Sequence, residues 1–296
     1  MEDLKNCPLC GGKKFSLFLK VTDSFLSQEE FSILQCDFCE LKFVNPRPTR
    51  EEIGNYYLSD DYISHDSDKK DLLSNVYRLA RKFAIRKKYG IIKKENSPKR
   101  LLDIGCGTGE FLKYCQEQGL DVFGYEPNIK ARYHAILKNK LDIKESLTDF
   151  KSMAGSFQCV TMWHVLEHVH DLTETLESVK KLLTPEGLLV IAVPNCNSWD
   201  ARYYKQFWAA YDVPRHLFHF TEQSMKQLAQ KSNFEISQIL PQKLDSYYVS
   251  MLSEKYCTGR SNYFNAFLRG LTSNFEAKNP NFRHSSLIYL LRQKIA

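Results

Sequence analysis

The sequence predicts an α/β protein in which a doubly wound sheet follows a small cysteine-bearing module of short strands and precedes a helical C-terminal segment. Three observations carry that expectation. A short apolar strand, Leu101 to Ile104, runs into the glycine-rich turn Gly105-Cys106-Gly107-Thr108-Gly109 and then into a helical pattern. A second strand, Asp121 to Tyr125, ends on Glu126, 21 residues after Gly105. Ahead of both stand two Cys-x-x-Cys pairs separated by 25 residues.

Composition narrows the class. With 43% apolar and 26% charged residues, the chain of 296 residues can bury enough surface to offset the entropy of ordering, which excludes disorder as its main state. No apolar run reaches membrane-spanning length, and Met1-Glu2-Asp3-Leu4-Lys5-Asn6 lacks the basic and apolar regions of a signal peptide, so a cytoplasmic protein is expected. The net charge of +6 is mild for this length and names no partner. Nine cysteines in a reducing compartment point to burial or metal ligation rather than disulfides.

The first module spans residues 1–48. Cys7-Pro8-Leu9-Cys10 and Cys36-Asp37-Phe38-Cys39 let two tight turns present four thiolates to one ion, and Gly11-Gly12 suits the first turn. Strands are expected over Phe15 to Val21, Glu30 to Gln35 and Leu41 to Val44. Reduced structural cysteines or a redox pair are the alternatives, but the doubled pairs favour zinc, and four sulfurs leave no open position, so the ion would be structural. The module resembles a zinc ribbon.

Pro46-Arg47-Pro48 ends the module. Residues 49–98 form a connector whose helix is expected from Asp71 to about Lys94, with Leu72, Leu73, Val76, Leu79, Ala80, Phe83 and Ala84 three and four apart. The other face carries Arg78, Arg81, Lys82, Arg86, Lys87 and Lys88. A solvated outer face is the leading reading of this charge; RNA backbone and anionic lipid are the competing ones.

The turn after the first strand reads G-x-G-x-G, not the G-x-G-x-x-G of nicotinamide and flavin sites, and no phosphate-loop motif occurs in the chain. A carboxylate at the end of the second strand can accept both hydroxyls of a ribose. With this spacing, residues 99–245 resemble the class I S-adenosylmethionine-dependent methyltransferases. Phe157-Gln158-Cys159-Val160-Thr161-Met162-Trp163-His164-Val165-Leu166-Glu167-His168 is similar to the fourth strand and turn of the ubiquinone-biosynthesis-like members, and Leu182 to Asn195 to their turn into the fifth strand. The resemblance implies a Rossmann-like, seven-stranded sheet with S-adenosylmethionine held by Asp103, Gly105, Cys106, Gly107, Glu126, Pro127, Trp163 and His164. It departs at Gln158, where the family has Asp.

Acid–base chemistry is expected from histidine. His164, Glu167 and His168 lie at i, i+3 and i+4; they resemble a metal face, though packing and turn-capping is the favoured reading. The aromatic insertion Trp199 to Phe220 is expected to cover an acceptor pocket. It contains Asp212-Val213-Pro214-Arg215-His216, a run similar to a recurring segment of bacterial methyltransferases. His216 is the first candidate general base and His168 the second, and Arg215 would meet an anionic acceptor or pair with Asp212.

A Thr-capped helix is expected over Thr221 to Ser232 and a sixth strand over Phe234 to Leu240. Residues 246–296 are expected as a helical extension, including Tyr263 to Leu271 and Ser286 to Lys294, which would pack on the sheet or touch a membrane surface. The function implied is methyl transfer to a small molecule or glycan precursor, oxygen being favoured over nitrogen or carbon. Methylation of ribosomal RNA through the ribbon and basic helix is the alternative; a noncatalytic cofactor-binding scaffold is the second. The oligomeric state is not indicated.

Overall fold

The computed structural model describes residues 1–57, 72–260, 262–279 and 283–294, leaving aside the side chains of residues 72–77. The chain divides into two compact units, one of Met1–Leu58, His164–Glu174 and Ala192–Tyr289, the other of Ser59–Trp163, Thr175–Ile191 and Leu290–Ala296.

The first unit opens with an antiparallel sheet of β1 (Phe15–Thr22), β2 (Glu30–Cys36) and β3 (Lys42–Val44). A fourth strand, β9 (Phe218–His219), extends it, with Lys42 opposite His219 and Phe43 opposite Phe218. The ribbon strands therefore share hydrogen bonds and a core with the aromatic insertion. Val21, Phe31, Ile33 and Val44 pack in one buried cluster with Tyr204, Trp208, Tyr211 and Val213. Trp208 can be fully buried because its indole N–H donates to Asp200 at 2.8 Å, which also accepts from Ser273 and Ser285.

The second unit carries the glycine turn. Helix α1 runs Leu72–Asn96; of the expected helix, Asp71 lies outside the described residues. After it come β4 (Arg100–Ile104), α2 (Glu110–Glu117), β5 (Asp121–Tyr125), α3 (Ile129–Asn139), β6 (Asp142–Lys144) and β7 (Phe157–Trp163). Pairing is parallel between β4 and β5, β5 and β6, and β4 and β7. Gln158 has structural employment: its Oε1 accepts from the Arg100 amide at 2.9 Å, and its carbonyl accepts from Asn96 at the end of α1.

The rest of the chain forms α4 (Leu172–Leu182), β8 (Leu183–Pro194), α5 (Trp199–Tyr204), α6 (Glu222–Lys231), β10 (Phe234–Pro241), α7 (Asp245–Thr258), α8 (Tyr263–Glu276) and β11 (Ser286–Gln293). The large sheet has seven strands in the order β10-β11-β8-β7-β4-β5-β6. From β4 the chain winds outward through β5 and β6, then returns to β7 on the other side, so the order reverses beside β4, where doubly wound sheets open a crevice at their carboxyl ends.

One expected element is corrected. Ser286 to Lys294 is not helical: Ser286–Gln293 is β11, with Ser286 through Leu291 buried. Leu287-Ile288-Tyr289-Leu290-Leu291 is apolar on every side, which suits a strand covered on both faces and leaves a surface helix no polar stripe. The Thr221 cap holds as expected, its hydroxyl accepting from the Ser224 amide.

Candidate active site and metal centre

The sulfur cluster is built by two turns. Cys7 and Cys10 sit on a turn closed by the Gly11 amide donating to the Cys7 carbonyl at 2.9 Å; Cys36 ends β2, and Cys39 lies in the turn closed by the Glu40 amide on the Cys36 carbonyl. Cys7 and Cys39 sulfurs are 3.4 Å apart, Cys10 and Cys36 sulfurs 3.5 Å, and all four converge within 4.8 Å. With Zn–S bonds of about 2.3 Å, a tetrahedral shell sets its sulfurs about 3.8 Å apart, so this donor set fits a zinc ion. Crowding splits the thiols: the Cys39 contact pulls Cys7 down to about 5, while the Cys7 contact pushes Cys39 up. A divalent ion would relieve that conflict.

In the second unit, β4 delivers Asp103 and the turn. Gly105 and Gly107 have φ of +68° and +56°, the left-handed region open to glycine, and nothing lies within 4 Å of the place a Gly107 side chain would take. The Gly105 and Cys106 amides both donate to the Tyr125 carbonyl, which sets the turn against the end of β5. There Glu126, 8% exposed, accepts from the Gly107 amide on Oε2 and from the Asn128 amide on Oε1, each at 2.8 Å. Each oxygen keeps a second lone pair for a ligand hydroxyl. Burial raises the Glu126 carboxyl above its ordinary range. Pro127 follows, its carbonyl accepting from Arg132.

Asp103 is also buried, and that burial lifts its carboxyl to about 7 although the Thr161 hydroxyl donates to it at 2.5 Å. Trp163 ends β7 against Phe111, and its buried indole N–H has no partner among the described residues. The sequence reading missed Lys88. Counted there with the solvated face of α1, it lies 4.5 Å from the Trp163 ring centre, and its charge opposes the rise at Asp103. Its one legible signal is position, seven residues after Arg81 on the same helical face. The polar groups near β6 have local duties: Ser146 and Asp149 cap a short turn, and Glu145 pairs with Arg132.

The three candidate histidines, His164, His168 and His216, lie in the first unit. His164, at φ +57°, places Nδ1 3.3 Å from Glu167 and Nε2 2.9 Å from Asp245. Burial opposes its charge, but Asp245 and Glu167 outweigh that and push the imidazole up to about 10. Both ring nitrogens are thus engaged. The atoms that converge within 4.8 Å belong instead to Glu167, His168 and His216. His216 donates from Nδ1 to the Ala210 carbonyl at 2.8 Å, and His168 lies with Nδ1 3.0 Å from the Arg215 carbonyl and 2.9 Å from the Tyr57 hydroxyl. With the Nδ1 atoms so held, Nε2 of each ring is the basic nitrogen. The two rings meet edge to face at 4.6 Å. Burial pulls His168 down to about 4, with the neighbouring His216 acting in the same direction. Glu167 is fully buried, and its Oε2 has no hydrogen-bond partner among the described residues.

Arg215 takes the second of its two expected roles and more. It is buried, bound to Asp212 at 2.7 Å, to Asp23 at 2.8 Å and to the Tyr56 carbonyl. No charge is left over for an acceptor.

Known proteins share this frame. A family model described as a methyltransferase domain matches residues 74–239. The ubiquinone biosynthesis O-methyltransferase of Haemophilus ducreyi is 34% identical over 109 residues, covering 33% of this chain and 46% of that protein. Its namesake in Aliivibrio fischeri is 32% identical over 106 residues, covering 33% and 45%. The chain thus spans less than half the length of these curated relatives. Among solved structures, a SAM dependent methyltransferase from Archaeoglobus fulgidus matches with a TM-score of 0.51 at 21% identity, over 72% of this chain and 94% of that one. The [4+2]-cyclase SpnF matches with 0.54 at 14%, over 85% and 99%. Those two likenesses show the fold alone, and a cyclase among them shows why fold does not name a reaction. The family match is of another kind, since it takes in the glycine turn, Glu126 and both histidine-bearing segments across more than half of the sequence: the chain belongs to the methyltransferase domain family.

Proposed function

We propose that the chain transfers a methyl group from S-adenosylmethionine to a small-molecule or glycan-precursor acceptor, at an oxygen. The observation that carries this reading is Glu126, a buried carboxylate pinned by the Gly107 and Asn128 amides beside a glycine turn with open space above it. In this reading Glu126 holds the ribose hydroxyls. Gly105, Cys106 and Gly107 let the ligand touch the main chain, and Asp103, Pro127 and Trp163 wall the site, the Trp163 N–H gaining a partner it otherwise lacks. His164 is left out, because both its ring nitrogens are engaged. When bound, the cofactor supplies an electrophilic methyl on a sulfonium.

A hydroxyl acceptor must lose a proton, and His216 is the base proposed for it, with His168 beside it as the second. The Ala210 carbonyl fixes the His216 tautomer, and the Glu167 carboxylate next to both rings would stabilise an imidazolium once formed. Oxygen as the acceptor atom draws support from the names of the relatives, both O-methyltransferases. The four cysteines are proposed to hold structural zinc.

Calorimetry with S-adenosylmethionine and its demethylated product on zinc-loaded protein tests the first half of the reading. Heat of association is expected for both, and none for either overturns it. Methyl-labelled cofactor with a fractionated extract tests the second half: label in a small molecule or glycan precursor supports it, and label in RNA replaces it.

A further inference from the structure

The last helix of the chain is amphipathic with the wrong side out. Helix α8 packs on α7 through small residues: Ala266, Gly270 and Ser273 are buried, and the Tyr247 ring fills the space a Gly270 side chain would take. Its outer face carries Phe264, Phe267, Leu268, Leu271 and Phe275, spaced three and four apart along one stripe. All five are exposed, Phe264 by 71%, Phe267 by 56% and Phe275 by 64%. A surface helix ordinarily turns such residues toward the core. A contiguous apolar stripe of this kind marks a binding surface.

The charge around the stripe selects its occupant. Arg260 precedes the helix, Arg269 lies within it and Lys278 follows it. Arg269 sits over the Tyr203 ring at 4.4 Å and Lys278 over the Phe275 ring at 5.2 Å, cations at the margin of an aromatic surface. Glu276 is the single acid within α8. On α7, Asp245 and Glu254 are engaged by His164 and Tyr204. A second copy of the chain would bring these cations against their own counterparts, a like-charge contact. A bilayer rich in anionic lipid would meet the stripe with acyl chains and the rim with phosphates.

We infer that α8 is a peripheral membrane-docking element that lies flat on an anionic lipid surface. At 14 residues it is about 21 Å long, and among the described residues no helix is long and apolar enough to cross a membrane. The attachment is therefore interfacial, with the phenyl rings at the boundary of headgroups and acyl chains.

Flotation of the zinc-loaded 296-residue chain with vesicles of phosphatidylcholine alone, or mixed with phosphatidylglycerol, tests the inference. Binding to the mixed vesicles only, weakened by salt, is expected. Phe264→Ser with Phe275→Ser should abolish it without changing the circular dichroism spectrum, because both side chains are mostly exposed and, unlike Phe267, neither stacks on Tyr247 of α7. Arg260→Gln and Lys278→Gln should each weaken partitioning about fivefold. Absence of binding, equal binding to neutral vesicles, or unchanged binding by the serine variant overturns it. So does a dimer in size-exclusion chromatography that the serine variant dissociates, which would assign the face to a second copy.

Discussion

Arg215 and Asp23 meet at 2.8 Å with both side chains buried, 192 residues apart in sequence. Asp23 sits at the tip of the β1–β2 hairpin, where it also accepts from the amides of Phe25, Leu26 and Ser27. Through this pair the cysteine module grips the segment that carries His216.

Removing Asp23 leaves the buried guanidinium with Asp212 alone and takes the acceptor from three hairpin amides. Asp23→Ala should cost about 3 kcal/mol, since Asp212 remains to balance part of the guanidinium. Urea denaturation of Asp23→Ala, and of Asp23→Ala with Arg215→Leu, checks it. The double variant should recover part of the loss, and equal stability of wild type and Asp23→Ala would refute the role.

Zinc content follows from the sulfur geometry. Elemental analysis should find one ion per chain, lost in Cys36→Ser, and chelation should expose the hairpin of β1 and β2 to protease. Protein free of metal with an intact hairpin would leave the cysteines as reduced structural thiols.

Cofactor affinity should fall about thirtyfold in Glu126→Gln, a loss of about 2 kcal/mol for charged hydrogen bonds to a ribose. The glutamine keeps one acceptor for the loop amides, so the fold should persist. Unchanged affinity by calorimetry would remove Glu126 from the ribose.

His164 makes stability fall on the alkaline side. Its imidazole, near 6.5 when unfolded, is held at about 10 in the fold by Asp245 and Glu167 against the cost of burial. Folding therefore takes up a proton. The stabilisation is complete below about pH 6.5 and is lost as pH rises through about 10. His164→Asn should flatten that part of the melting curve against pH; parallel curves for the two proteins would count against the assignment.

His216→Ala should slow turnover by a factor of about a hundred or more while leaving cofactor affinity intact. Once an acceptor is in hand, normal turnover in this variant would exclude His216 as the base.

Much of this was legible in the chain because it is local. The strand, glycine turn and helix from Leu101 onward follow from periodicity and from the backbone freedom of Gly105 and Gly107. The cysteine cluster follows from ligand chemistry repeated at two turns. Thr221 announces its helix by capping it. The glycine turn and the Thr221 cap are each complete within about a dozen residues, and each Cys-x-x-Cys turn within four, though the two turns stand 25 residues apart.

Tertiary structure decided the remainder. Whether Ser286–Gln293 is helix or strand depends on what covers its two faces, and burial on both made it a strand. Which histidines meet depends on long-range folding. Spacing grouped His164 with Glu167 and His168, whereas Asp245 captured His164 and the Arg215 segment delivered His216. Lys88 left the solvated face for Trp163 in the same way. A sequence fixes which groups are available and the conformations its backbone tolerates; only folding brings distant groups within the few ångströms over which charge and hydrogen bonding act.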